Sequence, residues 1–383
     1  MKGDKVSFTP MFVLTFLNAF TLSVLSTLIS MYAMIYFWAT TFEVSLLSSV
    51  SSLAMLILTV PGGLLSDKIG RKIILILGMA SNVLSFVFVY VAPGFFLLLV
   101  SMMLSGVAFA IFGPTMQSLI ADLAEMGTRK KAVGLYTVVA SGGFSSGPVM
   151  CSLLLQFVSI KDILLITLGI ASIELIMGIL LVKERSHGGE AGLIGKNFGN
   201  VIRNGNVMYA SLALASFFFV DSSIMTFFPI AALNVYGLTP QFVSSVFALR
   251  NIVLLFSRVF VVTRVVGKIS EKKLFSISLA LPLSLALTFF LTGYLSLSIF
   301  IILVGVGVGI VFSMGAMIIA DSTSSQERGL ANAIYFVGMN GGTTLSPIIM
   351  GALADVIGVT MIFPVAAFVP VIGLLASLMI KMK

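Results

Sequence analysis

The sequence lacks most of what a soluble or metal-dependent enzyme needs. Only 9% of its 383 residues are charged and 59% are hydrophobic, whereas soluble domains carry about 25% charged residues. It has one cysteine, Cys151, and one histidine, His187, which excludes an internal disulfide and a His/Cys metal cluster. A soluble fold would have too few polar side chains to cover its surface. The composition, with a mean hydropathy of +1.16, predicts an integral membrane protein without a cofactor.

Long apolar runs take the place of the missing charge. About 20 apolar residues cross the hydrocarbon core as a helix, and charge, proline and glycine divide the chain into twelve such runs. Runs of this length without period-2 alternation exclude a membrane β-barrel. The predicted fold is therefore all-α, with twelve transmembrane spans at 9–37, 43–66, 73–92, 95–121, 131–157, 162–182, 207–235, 240–264, 272–293, 296–320, 328–354 and 358–380.

The basic residues concentrate on one side of this arrangement. Twenty of the 22 Lys and Arg residues lie at the termini or in the loops after even-numbered spans, counting Arg258 at the inner end of the eighth span. Lys161 stands alone on the opposite side, and Arg250 lies inside a span. The positive-inside rule then predicts a multi-pass cell-membrane protein with both termini cytoplasmic. The net charge of +8 is a topology and lipid-headgroup signal, and nucleic-acid binding is not expected.

An internal repeat relates the two parts of the chain. Residues 121–148 align without a gap on residues 320–347, at an offset of 199, with nine identities that cluster at polar, Gly and Pro positions. Two parallel six-helix repeats are a transporter architecture. The repeat predicts an N-terminal six-helix half at 1–182, a cytoplasmic linker at 183–206 and a C-terminal half at 207–383. We expect the chain to act as a monomer.

The loop after the second span completes a known motif. It reads Gly63-x-x-x-Asp67-Lys68-x-Gly70-Arg71-Lys72, and every position of the pattern is filled. Together with the twelve spans and the repeat, this motif resembles that of the major facilitator superfamily of secondary transporters. In that family, spans 1, 4, 7 and 10 line a central cavity about which the halves rock. The resemblance implies alternating-access transport of a small molecule and no enzymatic activity.

The resemblance also implies a latch on the cytoplasmic side. Asp67 would face the start of the eleventh span, where Glu327 belongs to a capping-box pattern and the helix dipole favours an anion. Arg71 would reach the carboxylate of Asp122. The gating residues expected on this basis are Gly63, Asp67, Lys68, Gly70, Arg71, Lys72, Asp122, Arg129, Lys268, Asp321, Glu327 and Arg328.

The glycines and the second copy of the motif refine this latch. Gly63 would let helices pack closely, and Gly70 would permit the tight turn. In the second half Lys268 matches Arg71 and is expected to be able to pair with Asp321. Arg264 stands where Asp67 stands in the first half, so the latch is expected to be asymmetric.

Three ionisable residues lie near the middle of the predicted spans, where they are functional candidates by default. Asp221 lies about 21 Å from the inner end of its span and Arg250 about 15 Å from the outer end of the next. Because successive helices are usually adjacent, we expect an ion pair, which either carries protons or cationic substrate or fixes helix register. Glu174 lies in the sixth span. Further substrate candidates on the cavity helices or near them are Asn18, Gln117 and Asn340.

The fifth span favours export. Gly134, Gly143, Gly147 and Pro148 resemble the Gly/Pro motif of drug–proton antiporters, which would bring spans 2, 5, 8 and 11 together. However, Met102 stands where that group has an arginine, and the first span has no acidic residue. A proton would therefore titrate at Asp221, Glu174 or the outer-edge Glu43.

The residues leave several functions open. The leading interpretation is proton-coupled efflux of lipophilic or amphipathic compounds. The alternative is an importer or uniporter of a small metabolite, a sugar or an organic anion held by Arg250. A membrane enzyme would need clustered His, Cys or paired carboxylates, and a channel would normally show a pore loop, so both are disfavoured.

Overall fold

The protein is described here by a computed structural model, which covers residues 8–124, 129–182, 194–266, 268–291, 293–323 and 328–381. Within these ranges the chain is almost entirely helical and forms no β-strand beyond one isolated bridge, between Val266 and Ile269. Helices satisfy their backbone hydrogen bonds within one segment, which is what a lipid-embedded chain requires.

Each of the first six predicted spans is one helix. Two of them begin with a capping box, in which a hydroxyl and a carboxylate satisfy the first backbone N–H groups: Thr40 with Glu43, and Ser159 with Asp162. Glu43, a proton candidate from the sequence, is thus engaged in a helix cap. The six helices are α1 (Thr9–Phe37), α2 (Thr41–Ile69), α3 (Arg71–Val91), α4 (Phe95–Leu123), α5 (Arg129–Leu154) and α6 (Ile160–Leu181).

The helices of the last six predicted spans are less regular than those of the first six. The predicted linker contains a helix that the sequence analysis did not anticipate, α7 (Ile194–Arg203). The seventh and eighth spans end in π-helical turns, at Ala231–Val235 and Val261–Val265, and the ninth continues as a 3₁₀-helix at Leu281–Phe289. The helices are α8 (Gly205–Ile230), α9 (Pro240–Phe260), α10 (Glu271–Ala280), α11 (Tyr294–Ser322), α12 (Arg328–Ile357), α13 (Ile362–Ala366) and α14 (Pro370–Met379).

The last predicted span, 358–380, is broken into two helices. Pro370 has no N–H to donate to Ala366, and its ring would clash with that carbonyl in a continuous helix. The chain turns instead, with the N–H of Val369 donating to the Ala366 carbonyl at 3.0 Å. The break between α13 and α14 therefore follows from one proline, Pro370.

Among the described residues, eleven segments are long and apolar enough to span a membrane. The long helix α12, with 30 residues, is not one of them. Its middle carries Asn340, Thr343, Thr344 and Ser346, and it packs between α8 and α2. A polar transmembrane helix is tolerated where it faces protein and not lipid.

Helix packing repeats between the two sets of six spans. α1 packs on α5 and α6, as α8 packs on α12 and α14; α4 packs on α2 and α3, as α11 packs on α9 and α10. The two sets meet along α2 with α12 and along α5 with α9. The predicted fold class, two pseudo-symmetric six-helix halves, is confirmed. The limits 1–182, 183–206 and 207–383 stay a prediction.

Glycines at equivalent positions permit the closest helix contacts. A Cβ on Gly143 of α5 would lie 2.6 Å from the Phe16 carbonyl oxygen of α1. At the repeat offset of 199, a Cβ on Gly342 would clash with the carbonyl of Ala215. Equivalent serines reinforce both seams: Ser23 donates to the Phe144 carbonyl at 2.6 Å, and Ser222 to that of Thr343 at 3.0 Å. Small residues at the interface are how membrane helices approach each other.

We predict that Gly143→Ala lowers stability by about 1–3 kcal/mol, because the new methyl group overpacks the seam between α1 and α5. The matched control is Gly134→Ala on the same helix, where nothing lies within 4 Å of the added Cβ. The control should be neutral or slightly stabilising, since alanine is the better helix former. Heat-induced loss of the monodisperse fraction of the purified protein would measure both. Equal melting of the two variants would contradict this assignment of the seam.

Candidate functional site

A buried ion pair joins α8 and α9. Asp221 Oδ1 accepts from Arg250 Nη2, and the two residues are 9% and 2% exposed. The pair predicted from helix depth is therefore present. Because the pair is largely buried, each charge depends on the other for compensation, and removal of either would leave an uncompensated charge.

The surroundings of Arg250 fit its size and engage its second terminal nitrogen, whereas its buried Nε has no hydrogen-bond partner among the described residues. Its Nη1 donates to Asn251 Oδ1 at 2.9 Å. On α11, Gly305 lies against it, and a Cβ there would come within 2.8 Å of the Arg250 Cγ. At the repeat offset, Gly106 of α4 packs in the same way against Ser51 of α2. The close glycine contact is common to both halves, whereas the arginine belongs to the second half alone.

Asn251 extends the pair to the other half of the molecule. Its Nδ2 donates to the Phe144 carbonyl of α5 at 3.3 Å. The backbone carbonyl of Asn251 accepts from Ser145 Oγ, also at 3.3 Å. A continuous polar chain thus runs from Asp221 through Arg250 and Asn251 to α5. Asn251 was not predicted as a site residue, although its position next to an arginine inside a membrane span was a signal for it.

Glu174 forms a second buried polar cluster, within the first half. It is fully buried in α6, and its Oε1 accepts from Asn18 Nδ2 of α1 at 2.9 Å. Nearby, Asn82 Nδ2 of α3 donates to Thr21 Oγ1 at 2.8 Å, and Thr21 donates to the Asn18 carbonyl at 3.0 Å. Asn18, predicted as a cavity residue, therefore points towards α6. The cluster ties α1 to α6 and α3.

The other substrate candidates do not join either cluster. Gln117 is exposed on α4, and Asn340 is 3% exposed on α12. The hydroxyls of Thr343 and Thr344 donate to the backbone carbonyl of Asn340, and the buried side-chain Oδ1 of Asn340 has no hydrogen-bond partner among the described residues. The structure brings together Asp221 with Arg250 and Asn18 with Glu174, and keeps these two pairs in different halves.

The predicted cytoplasmic motif forms a tight turn and one of its expected contacts. Gly70 has φ +104°, a conformation that favours glycine, and it separates α2 from α3. Arg71 Nη2 lies 2.7 Å from Asp122 Oδ2, as expected, with side-chain exposures of 19% and 26%. Lys68 is exposed and Lys72 is half-buried. The side chains of Asp67, Arg129 and Arg328, and all of Glu327, lie outside the described residues.

Two expectations for this region need correction. No atom lies within 4 Å of a Cβ placed on Gly63, whereas one on Gly62 would lie 2.6 Å from Ile111 Cγ2; the close approach thus belongs to the neighbouring glycine. In the second half, Lys268 and Asp321 are both exposed, and no ion pair joins them in the described part of the chain. Only the first copy of the basic–acidic contact is formed.

The helix-5 motif packs within its own half. Gly143 and Gly147 face Phe16 and Ser23 of α1, and Gly134 meets nothing within 4 Å. Pro148 lies inside α5. The glycines themselves thus pack on α1, since residues four apart share one helix face. The spans that the motif was expected to bring together, 5 with 8 and 2 with 11, do meet between the halves as α5 with α9 and α2 with α12. The role of the motif in that approach stays a prediction.

Serines on α5 form contacts with the other half. Ser152 lies 2.6 Å from Ser245 Oγ, and Ser141 accepts from Arg258 Nη1 at 2.7 Å, both on α9. Between α8 and α2, Thr226 donates to the Ser48 hydroxyl at 3.0 Å. Hydroxyl pairs are adaptable contacts that satisfy one another without charge.

Comparison with known proteins gives the family. The model described as Major Facilitator Superfamily matches residues 11–296 and 210–382. An uncharacterized MFS-type transporter of Methanocaldococcus jannaschii is 24% identical over 370 residues, 90% of each chain. Multidrug resistance protein 2 of Bacillus subtilis is 23% identical over 335 residues, 83% of this chain and 81% of its own.

Solved structures share the fold. A bacterial homologue of the human lysosomal transporter Spinster, in an inward-facing conformation, has a TM-score of 0.78 at 13% identity over 97% of this chain and 96% of its own. The nucleoside transporter NupG has a TM-score of 0.76 at 14% identity over 98% and 99%. The family match spans nearly the whole sequence, and these neighbours are transporters and not enzymes. The chain belongs to the Major Facilitator Superfamily of membrane transporters.

Proposed function

We propose that this protein exports lipophilic or amphipathic small molecules in exchange for protons. The observation that carries the proposal is the polar chain from Asp221 through Arg250 and Asn251 to the backbone of α5. It links an ionisable group within the membrane to the seam along which the two halves meet. Proton binding at one end is therefore positioned to change a contact between the halves.

Protonation of Asp221 would remove the charge that compensates Arg250. An unpaired buried charge costs about 3–5 kcal/mol, which is large enough to shift a two-state conformational equilibrium. The guanidinium would then depend on Asn251, and the contact of Asn251 with the Phe144 carbonyl would change with it. Substrate and proton exchange follows if the two conformations differ in which of them they bind.

The relatives support export. Multidrug resistance protein 2 of Bacillus subtilis carries drug resistance in its name. Quinolone resistance protein NorA of Staphylococcus aureus is 28% identical over 106 residues, 28% of this chain and 27% of its own. The Gly/Pro pattern of α5 resembles the motif of drug–proton antiporters. The alternative, an importer or uniporter of a small metabolite, is distinguished by the direction in which a proton gradient drives movement.

We infer that the protein lies in the cell membrane with both termini cytoplasmic, and we propose that it acts as a monomer. The support for the orientation is the distribution of Lys and Arg, of which all but two lie at the predicted inner side. In this orientation the contacts of Ser48 with Thr226 and of Ser152 with Ser245 belong to the outer part of the molecule.

The proposal predicts that proteoliposomes accumulate substrate in their acidic compartment, because an antiporter moves substrate against the proton flux. The probes are ethidium and a fluorescent quinolone, with a pH gradient imposed by dilution. Asp221→Asn should reduce the gradient-dependent rate by at least about tenfold, the effect of 1.4 kcal/mol. It removes the proton site but keeps the shape of the side chain.

The matched control is Asp162→Asn, which makes the same carboxylate-to-amide change at the outer cap of α6. It should transport like the wild type. Gradient-independent transport in both the wild type and Asp221→Asn would refute proton coupling through Asp221. Accumulation in the alkaline compartment would identify a symporter and overturn export.

The latch gives a separate prediction. Asp67→Asn should shift the protein towards an inward-open state, because the amide loses the charge that the positive end of a helix dipole favours. Spin labels on Leu135 of α5 and Val337 of α12, both exposed near the predicted inner ends, would report a longer distance. The labels need a Cys151→Ser background. Unchanged distances would remove Asp67 from gating.

A further inference from the structure

A second arginine on α9 is not accounted for by the ion pair. Arg258 lies eight residues, or about 12 Å, from Arg250 towards the predicted inner end of the helix. Its neighbours Phe256 and Phe260 are 71% and 61% exposed, whereas Arg258 itself is only partly exposed. Its side chain therefore turns towards the other helices. From the sequence, Arg258 was predicted only to belong to the basic residues that mark the inner side of the membrane.

The contacts of Arg258 come from both halves of the molecule. Its Nη1 donates to Ser141 Oγ of α5 at 2.7 Å. Its Cζ lies 5.5 Å from the ring centre of Phe312 on α11, within the range of a cation–π contact. Phe336 of α12 packs edge-on against Phe312 with ring centres 5.7 Å apart. The guanidinium thus lies between a hydroxyl and an aromatic surface.

Arg258 differs from Arg250 in having no counter-charge among the carboxylates that the structure describes. Its buried Nε has no hydrogen-bond partner there, which is equally true of the Nε of Arg250. Charged side chains at membrane depth are costly and usually pair with one another or mark a substrate pathway. A guanidinium offers a planar set of donors suited to carboxylate, sulfonate and phosphate groups.

We propose that Arg258, Ser141 and Phe312 bind the anionic group and the adjoining aromatic surface of an amphipathic organic anion. The inference rests on the proposed transport function and names amphipathic organic anions as one class of its substrates. An anion here supplies the missing counter-charge and accepts the unused Nε–H, while its apolar part packs on Phe312. Because Ser141 belongs to the first half and Phe312 to the second, a bound anion contacts both halves.

The test compares two dyes that differ by one charged group. Anilinonaphthalene sulfonate carries an aromatic surface and a sulfonate; N-phenylnaphthylamine has the same aromatic surface and no charge. Equilibrium binding is measured on the full-length protein in phosphatidylcholine nanodiscs, with empty nanodiscs subtracted. Arg258→Gln should weaken sulfonate binding by at least about tenfold, as expected for a lost charged hydrogen bond. Binding of the neutral dye should be unchanged.

Two further variants separate specific from general effects. Arg258→Lys keeps the charge and should retain part of the sulfonate affinity. Arg264→Gln removes an exposed charge at the end of the same helix and should bind both dyes like the wild type. The proposal is overturned if Arg258→Gln binds the sulfonate normally, if it loses both dyes equally, or if Arg264→Gln shows the same loss.

Phosphatidylglycerol distinguishes a lipid head group from a solute as the source of the anion. If a lipid occupies the site, adding this lipid to the nanodiscs weakens sulfonate binding to the wild type but not to Arg258→Gln. If the site takes solutes, wild-type affinity stays the same. Transport is measured separately in proteoliposomes. If binding depends on Arg258 but no gradient drives movement of the dye, the transport proposal is wrong and the anion site is still supported.

Discussion

The need to compensate the charge of Arg250 organises the centre of the second half. A guanidinium that is 2% exposed cannot be solvated, so its partners must come from neighbouring helices. Asp221 supplies the counter-charge from α8, Asn251 supplies an acceptor on α9, and Gly305 leaves room for the side chain on α11. Through Asn251 the same network reaches α5 of the first half. The register of these helices, their spacing and this contact between the halves therefore all depend on Arg250.

The two halves share their packing but not their chemistry. At the offset of 199, the glycine and serine contacts recur, with Gly143 and Gly342 as the clearest pair. The position of Arg250, however, is occupied by Ser51 in the first half, and that half instead buries Glu174 against Asn18. Small residues fix the distance between helix axes, whereas the polar residues can differ as long as each finds a partner. Among the described residues, the duplicated scaffold thus carries its buried ion pair in the second half.

Composition and apolar run length were sufficient to predict the six helices of the first half, and α1 has the limits predicted from the sequence, residues 9 and 37. They did not predict α7 or the break between α13 and α14. Helix depth was sufficient to predict the pairing of Asp221 with Arg250. The sequence did not reveal which way a side chain rotates about its helix, because that depends on packing with distant residues. Asn18 turned to α6 and the α5 glycines turned to α1 for this reason. Arg258 was assigned to topology because its depth is similar to that of a charge at the membrane surface.

The central claim is that Asp221 and Arg250 stabilise the protein as a pair and not as separate residues. A double-mutant cycle on thermal stability tests it most directly, with Asp221→Asn, Arg250→Gln and the double variant. Each single change should cost about 3–5 kcal/mol, because it leaves one buried charge unpaired. The double variant should cost much less than the sum, because no charge is left. If the two losses simply add, the residues act independently and the account is wrong.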